Sequence, residues 1–117
     1  MTAWQALRWT IVGYAISVVG SLLNEFVMWV NGGLMPVFET TCDGFSGWQL
    51  DYRHACASGA TKLAGLTDWI HVPGFVISPG DILILGGMFV VVAMAGVFAW
   101  RASRALGQKL RRVWKSN

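Results

Sequence analysis

Hydrophobic positions in this chain are not spread as a repeating face; they are gathered into two runs. The first extends from about Trp9 to Val30 (WTIVGYAISVVGSLLNEFVMWV) and the second from about Ile82 to Trp100 (ILILGGMFVVVAMAGVFAW). Neither leaves the polar face that a helix needs in water. Each is close to the ~20 residues that cross ~30 Å of hydrocarbon at ~1.5 Å per residue. The second run carries no ionisable side chain, and the first carries Asn24 and Glu25 near its far end. The pattern predicts transmembrane helices over residues 9–30 and 81–100, joined by a loop over 31–80. No A-x-A processing site follows the first run, so it reads as a signal-anchor helix and not as a cleaved leader.

Composition points the same way. Of the 117 residues, 55% are hydrophobic and 13% charged, against about 25% charged in a typical soluble domain. Mean hydropathy is +0.51.

The position of the charges gives the hairpin a direction. Arg8 precedes the first run, and Arg101, Arg104, Lys109, Arg111, Arg112 and Lys115 follow the second. The loop holds Arg53 and Lys62 against Glu39, Asp43, Asp51 and Asp68. The positive-inside rule puts residues 1–8 and 101–117 in the cytoplasm and the loop outside. Trp4, Trp9, Trp29 and Trp100 fall at the expected interfaces, where amphipathic rings sit. As a helix, the tail would place Leu106, Leu110, Val113 and Trp114 on one side with basic neighbours, suited to lying on anionic lipid. Topogenesis and lipid contact account for this charge without nucleic acid.

The loop is too long for an empty connector. Asn31-Gly32-Gly33 stops the first helix, and Pro36 prevents its resumption. A short helix is expected at about 60–71, with Leu63, Leu66 and Ile70 on one face, stopped by Pro73-Gly74. Ser78-Pro79-Gly80-Asp81 reads as N-cap, N1, N2 and N3 of the second helix. Cys42 and Cys56 are the two cysteines, both on the expected outer side, where a disulfide is permitted; free buried thiols are the alternative. With His54 and His71 they match no zinc spacing. No haem or pigment contact is expected of those histidines, and bound lipid is the one non-protein component expected.

Within the runs, Gly13, Ser17, Gly20 and Asn24 recur at steps of four, three and four. This stripe lets another helix approach closely, with Asn24 able to hydrogen-bond across the contact. Gly86, Gly87, Ala93, Ala95, Gly96 and Ala99 offer similar surfaces on the second helix. A carboxylate deep in a membrane signals a pathway or a partner, but Glu25 lies near the outer end, where Arg53 or Lys62 can answer it.

Two segments resemble motifs of an uncharacterised family of small bacterial membrane proteins. One is Leu23-Asn24 followed by Asn31-Gly32-Gly33-Leu34-Met35-Pro36-Val37; the other is Thr67-Asp68-Trp69-Ile70 with Ile77-Ser78-Pro79-Gly80-Asp81-Ile82-Leu83-Ile84. Members of that family are usually longer, with further spans before the first motif. The resemblance implies the topology and a bacterial inner-membrane location, supplies no catalytic residue, and does not include the cysteines.

The expected fold is therefore an all-α membrane protein: a two-helix transmembrane hairpin with a large, partly structured external loop and a basic amphipathic C-terminal helix. No nucleophile elbow, phosphate loop, metal cluster or dinucleotide fingerprint is present in the sequence. The expected function is a non-catalytic accessory subunit of a larger membrane complex, of the kind collected by respiratory or photosynthetic assemblies. A small homo-oligomeric transporter or channel with Asn24 and Glu25 near its mouth is the first alternative. A thiol-based redox helper using Cys42 and Cys56 is the second.

Overall fold

The computed structural model describes residues 1–116. Helix α1 spans Ala3–Val30. Its start is fixed by a capping box: the Gln5 amide donates to the Thr2 hydroxyl, and the Thr2 amide donates to the Gln5 side chain. Its end is a Schellman turn. The Gly33 amide donates to the Met28 carbonyl (2.8 Å) and the Gly32 amide to that of Trp29 (3.3 Å). Gly32 takes a φ of 81° there, a conformation that a side chain would strain.

Helix α2 spans Pro79–Ser116, 38 residues without a break, or roughly 57 Å at 1.5 Å per residue. It accounts for most of the molecule's 78 Å length. Both helices are long and apolar enough to cross a membrane. No element boundary falls at residues 100/101: the basic tail continues the second helix and is not a separate amphipathic helix. Nothing between Trp100 and Arg104 interrupts the ladder; instead the Arg104 guanidinium stacks on the Trp100 ring, 4.8 Å from its centre.

The helices pack antiparallel along a seam of small residues. On α1 the buried positions are Ala6, Gly13, Gly20 and Val27, at steps of seven, and on α2 they are Gly80 and Gly87. A seven-residue step keeps one line of a helix facing its neighbour. A β-carbon on Gly13 would lie 2.7 Å from the Gly87 carbonyl oxygen and 2.9 Å from the Val90 β-carbon. One on Gly20 would lie 2.9 Å from the backbone nitrogen of Ile84. The obstacles are backbone, so they cannot turn aside. Ser17, half a heptad along, donates its hydroxyl across the seam to the Ile84 carbonyl (3.0 Å).

Gly86 and Gly96 lie elsewhere. A β-carbon on either would meet open space, so of the three α2 glycines expected to pack against a helix only Gly87 meets α1. At 100° per residue, Phe89, Gly96 and Trp100 lie on the side of α2 opposite its seam with α1, with Gly86 and Ala93 on the flank beside them. Phe89 there is 74% exposed.

Residues 31–78 form a cap over one end of the helix pair. Strand β1 (Met35–Val37) pairs in parallel with β2 (His54–Cys56), and β3 (Ile70–Val72) pairs antiparallel with β4 (Phe75–Ile77). A Cys42–Cys56 disulfide ties the segment after β1 to β2. Asn31 holds the cap to α1: its side chain donates to the Val27 and Lys62 carbonyls and accepts from the Lys62 amide.

The helix expected at about 60–71 is not there, and the chain is correspondingly not all-α. Only Ala64–Leu66 makes a single 3-10 turn. Leu63 before it is left-handed (φ 53°), and the Thr67 hydroxyl donates back to the Ala64 carbonyl, taking the acceptor that a continuing helix would use. Ile70 and Val72 then find ladder partners across Pro73-Gly74. Gly74 at φ 83° supplies the third position of a type II turn. The apolar spacing of Leu63, Leu66 and Ile70 is outweighed by this turn chemistry.

Gly87→Ile should destabilise the helix pair by about 3 kcal/mol, the upper end of overpacking costs, because backbone must move. Gly86→Ile, one position away, should change stability by less than about 0.5 kcal/mol. Unfolding of the two variants in detergent micelles checks the contrast.

Candidate functional site

The α1–α2 seam ends in a polar network at the capped end. Ser78 and Asp81 cap α2 reciprocally: the Asp81 amide donates to the Ser78 hydroxyl (3.1 Å), and the Ser78 amide donates to Asp81 Oδ2 (2.9 Å). Asn24 joins this cap from α1. Its amide nitrogen donates to Asp81 Oδ1 (2.8 Å), and its oxygen accepts from the Ser78 hydroxyl (2.8 Å). Both ends of the Asn24 side chain are thus used, and Gly80 leaves the space that lets Asn24 reach.

Next to this network the cap and the helix ends enclose a cleft of about 380 Å³. Asn24, Glu25 and Met28 of α1 form one wall and Asp81 and Ile84 of α2 another. Met35, Arg53, His54 and Asp68 close it from the cap. Glu25 and Arg53 sit at the exposed rim and pair at 3.2 Å. Exposed pairs of this kind contribute little to stability.

The floor is different. Asp68 is 5% exposed. Its backbone is fixed against β1: its amide donates to the Pro36 carbonyl, and its carbonyl accepts from the Phe38 amide. Its Oδ1 is buried with no hydrogen-bond partner among the described residues, and its Oδ2 lies 3.6 Å from His54 Nε2. Burial, and then the nearby Asp81 charge, push its carboxyl up to about 6, with His54 opposing. His54 is held from behind by Asp51, whose carboxylate lies 2.8 Å from Nδ1. The Arg53 backbone amide, followed by the His54 contact, holds Asp51 below the usual carboxylate range.

The sequence-derived residues divide accordingly. Gly13, Ser17, Gly20 and Gly87 lie in the seam; Asn24 links seam to cleft; Glu25 is at the rim; Ser78 and Asp81 cap α2. Cys56 is the last residue of β2 and Cys42 follows β1, and His71 is exposed on the β3–β4 hairpin, away from the cleft. Arg101, Arg104, Lys109, Arg111, Arg112 and Lys115 are exposed at the far end of α2. Sequence reasoning placed Asp68 and His54 in a loop without bringing them together. The one signal that touched Asp68 was its place in the Thr67-Asp68-Trp69-Ile70 motif. No three metal-ligating side chains converge among the described residues.

A carboxyl whose folded pKa is raised binds more protons folded than unfolded between about pH 4 and 6, so its contribution falls as pH rises through that window. The wild-type cap should lose on the order of 2 kcal/mol from Asp68 between pH 4 and pH 7. Asp68→Asn should remove that slope and be the more stable form at pH 8, as read by thermal unfolding across pH.

Residues 3–93 match the model of a family described as "Family of unknown function (DUF5317)". A protein of Thermotoga maritima, named as an uncharacterized protein, is 36% identical over 99 residues, covering 80% of this chain and 58% of that protein. The chain thus corresponds to little more than half the length of this relative. No solved structure matches it. With the match running from the start of α1 to the middle of α2 and including the whole cap, the chain belongs to this family of unknown function.

Proposed function

We propose that the chain is a non-catalytic subunit of a larger bacterial membrane assembly, inserted as a hairpin with both termini in the cytoplasm. Two features on opposite ends of the molecule support the orientation. The disulfide and the cap lie at one end, as an oxidising compartment favours. The six basic residues lie at the other, as a cytoplasmic end requires. At the basic end the last turns of α2 run past the start of α1, near Ala3 and Arg101. They reach beyond the lipid as a single exposed helix, where anionic headgroups or a partner subunit meet them.

The observation that carries the assembly reading is the second face of α2. Gly86, Ala93 and Gly96 lie there among Phe89 and Trp100, small positions beside large rings. Small residues at such spacing admit another helix closely. The seam with α1 runs through Gly80 and Gly87 and leaves this face open at Gly86 and Gly96.

Purification in mild detergent should therefore yield the chain together with larger membrane subunits. The double substitution Gly86→Leu and Gly96→Leu should release them while leaving the thermal stability of the isolated hairpin unchanged. A wild-type chain that purifies alone and monomeric from native membranes contradicts the reading.

A further inference from the structure

Helix α2 is covered on one side and bare on the other. α1 meets it along Gly80 and Gly87. In a heptad counted from Ile82 as position a, those two glycines fall on the f line, and positions a and d fall on the opposite side. There the chain places Ile82, Leu85, Phe89 and Val92, then Gly96 and Ala99. The same register continues, without a skipped residue, through Ser103, Leu106, Leu110 and Val113. Each of these positions is exposed in the single chain. The Ser103 hydroxyl is already used within the helix, where it donates to the Trp100 carbonyl (2.7 Å). From Ile82 to Val113 the stripe is roughly 47 Å long at 1.5 Å per residue.

Lipid accounts for the part of this stripe that lies in hydrocarbon, but not for the rest. The start of α1, at Ala3, borders the same groove as Arg101 and Ala105. Leu106, Leu110 and Val113 therefore stand beyond both the apolar run and its neighbour helix. To lay them on a membrane surface, α2 would have to bend sharply between Trp100 and Leu106. That segment holds no proline and no Gly–Ser pair, common causes of a sharp kink, and α2 runs as one helix to Ser116. An apolar stripe that keeps one heptad register through and beyond the span is what a second, parallel helix requires.

The flanks of the stripe decide whose helix that is. Arg101, Arg104, Arg111, Arg112 and Lys115 lie at positions b, c and f, away from the stripe. Lys109 is the one tail cation at a flanking g position. Gly86, Ala93, Ala95, Ala102 and Gly107 occupy other flanking positions, and they let two backbones close in. Flanking charges select partners, and these flanks do not select an acidic one. In a parallel, in-register pair of α2 helices, Lys109 of each copy comes beside Trp114 of the other. A cation–π contact then stands where like charges would have clashed. Two copies inserted the same way in one membrane present their α2 helices in parallel.

We propose that the outer stripe of α2 is the contact between two copies of this chain, a parallel helix pair from Ile82 to Val113 with α1 and the cap on its outside. This contact rests on the membrane hairpin proposed above, and it names what covers the open face of α2 there; larger subunits then gather round the pair.

The test uses the purified full chain, with its Cys42–Cys56 disulfide intact, in liposomes of phosphatidylcholine and phosphatidylglycerol. One cysteine is added, either Leu110→Cys in the stripe or Gln108→Cys on the f line. Mild oxidation should trap Leu110→Cys as a covalent dimer about tenfold faster than Gln108→Cys, since only the first lies against its own image within reach of a disulfide. Leu106→Lys, added to Leu110→Cys, should lower the trapped fraction by about tenfold, because it removes a buried leucine and sets like charges together. Ala105→Lys adds the same charge away from the stripe and should leave trapping as it was. Leu106 and Leu110 are exposed in the single chain, so the hairpin should keep its thermal stability in each of these variants.

Equal trapping at the two positions, no trapping at either, or indifference to Leu106→Lys overturns the proposal. A spin label on Leu110→Cys with the oxygen accessibility of acyl chains, and no trapping, gives the stripe to lipid and overturns it as well. The liposomes hold no other protein, so the pair and the larger assembly are read separately. Trapping in a chain that leaves native membranes without larger subunits keeps the pair and removes the assembly reading; larger subunits without trapping do the reverse.

Discussion

The close approach of two backbones is the constraint on which the rest of this structure depends. Gly13 lies against the Gly87 carbonyl, and Gly20 and Gly80 lie against each other a helical step or two further on. Without β-carbons at these positions α1 and α2 settle nearer than side chains would allow. That distance lets short side chains bridge the helices. Ser17 reaches a carbonyl, and Asn24 reaches both Ser78 and Asp81. An ordinary Leu-packed pair would hold Asn24 too far from the α2 cap. The seam therefore sets the position of the N-terminus of α2, and with it the wall of the cleft.

The two polar regions at the capped end contrast in a way that separates structure from function. The Asn24–Ser78–Asp81 network is closed: its side chains satisfy one another, and the bonds fix where α2 begins. The Asp51–His54–Asp68 line is open. It is oriented from one side by Asp51 and ends at a buried oxygen, Asp68 Oδ1, that has no donor among the described residues. The disulfide at Cys56 and the strand pairing of Val37 with Asp68 hold this line rigid despite the small size of the cap, consistent with a site that must keep its shape.

Much of the frame was legible in the sequence because its signals are local or strongly periodic. The two apolar runs, the Asn31-Gly32-Gly33 stop, and the Ser78 to Asp81 cap each depend on neighbours within a few positions. The stripe of Gly13, Ser17, Gly20 and Asn24 depends on helical geometry alone. The cap was less legible. Leu63, Leu66 and Ile70 have helical spacing, yet the left-handed Leu63 and the Thr67 hydroxyl break it and the Pro73-Gly74 turn favours a hairpin. Gly86 and Gly87 could not be told apart, since which of two adjacent glycines faces the seam depends on how α2 is rotated. The pairing of His54 with Asp68 was illegible for the same kind of reason: it depends on the parallel register of β1 with β2, two strands of three residues each with no sequence signature of their own.

The claim that the glycine seam holds α1 directly on α2 is tested most directly in lipid. Spin labels at Tyr14→Cys and Met88→Cys, which flank one apolar groove on the same side of the pair, report the approach of the helices within one chain. The account predicts strong dipolar broadening that persists when labelled protein is diluted with unlabelled protein, and that Gly87→Ile abolishes. Narrow, unbroadened spectra in the otherwise wild-type chain, with the Cys42–Cys56 disulfide intact, would contradict it.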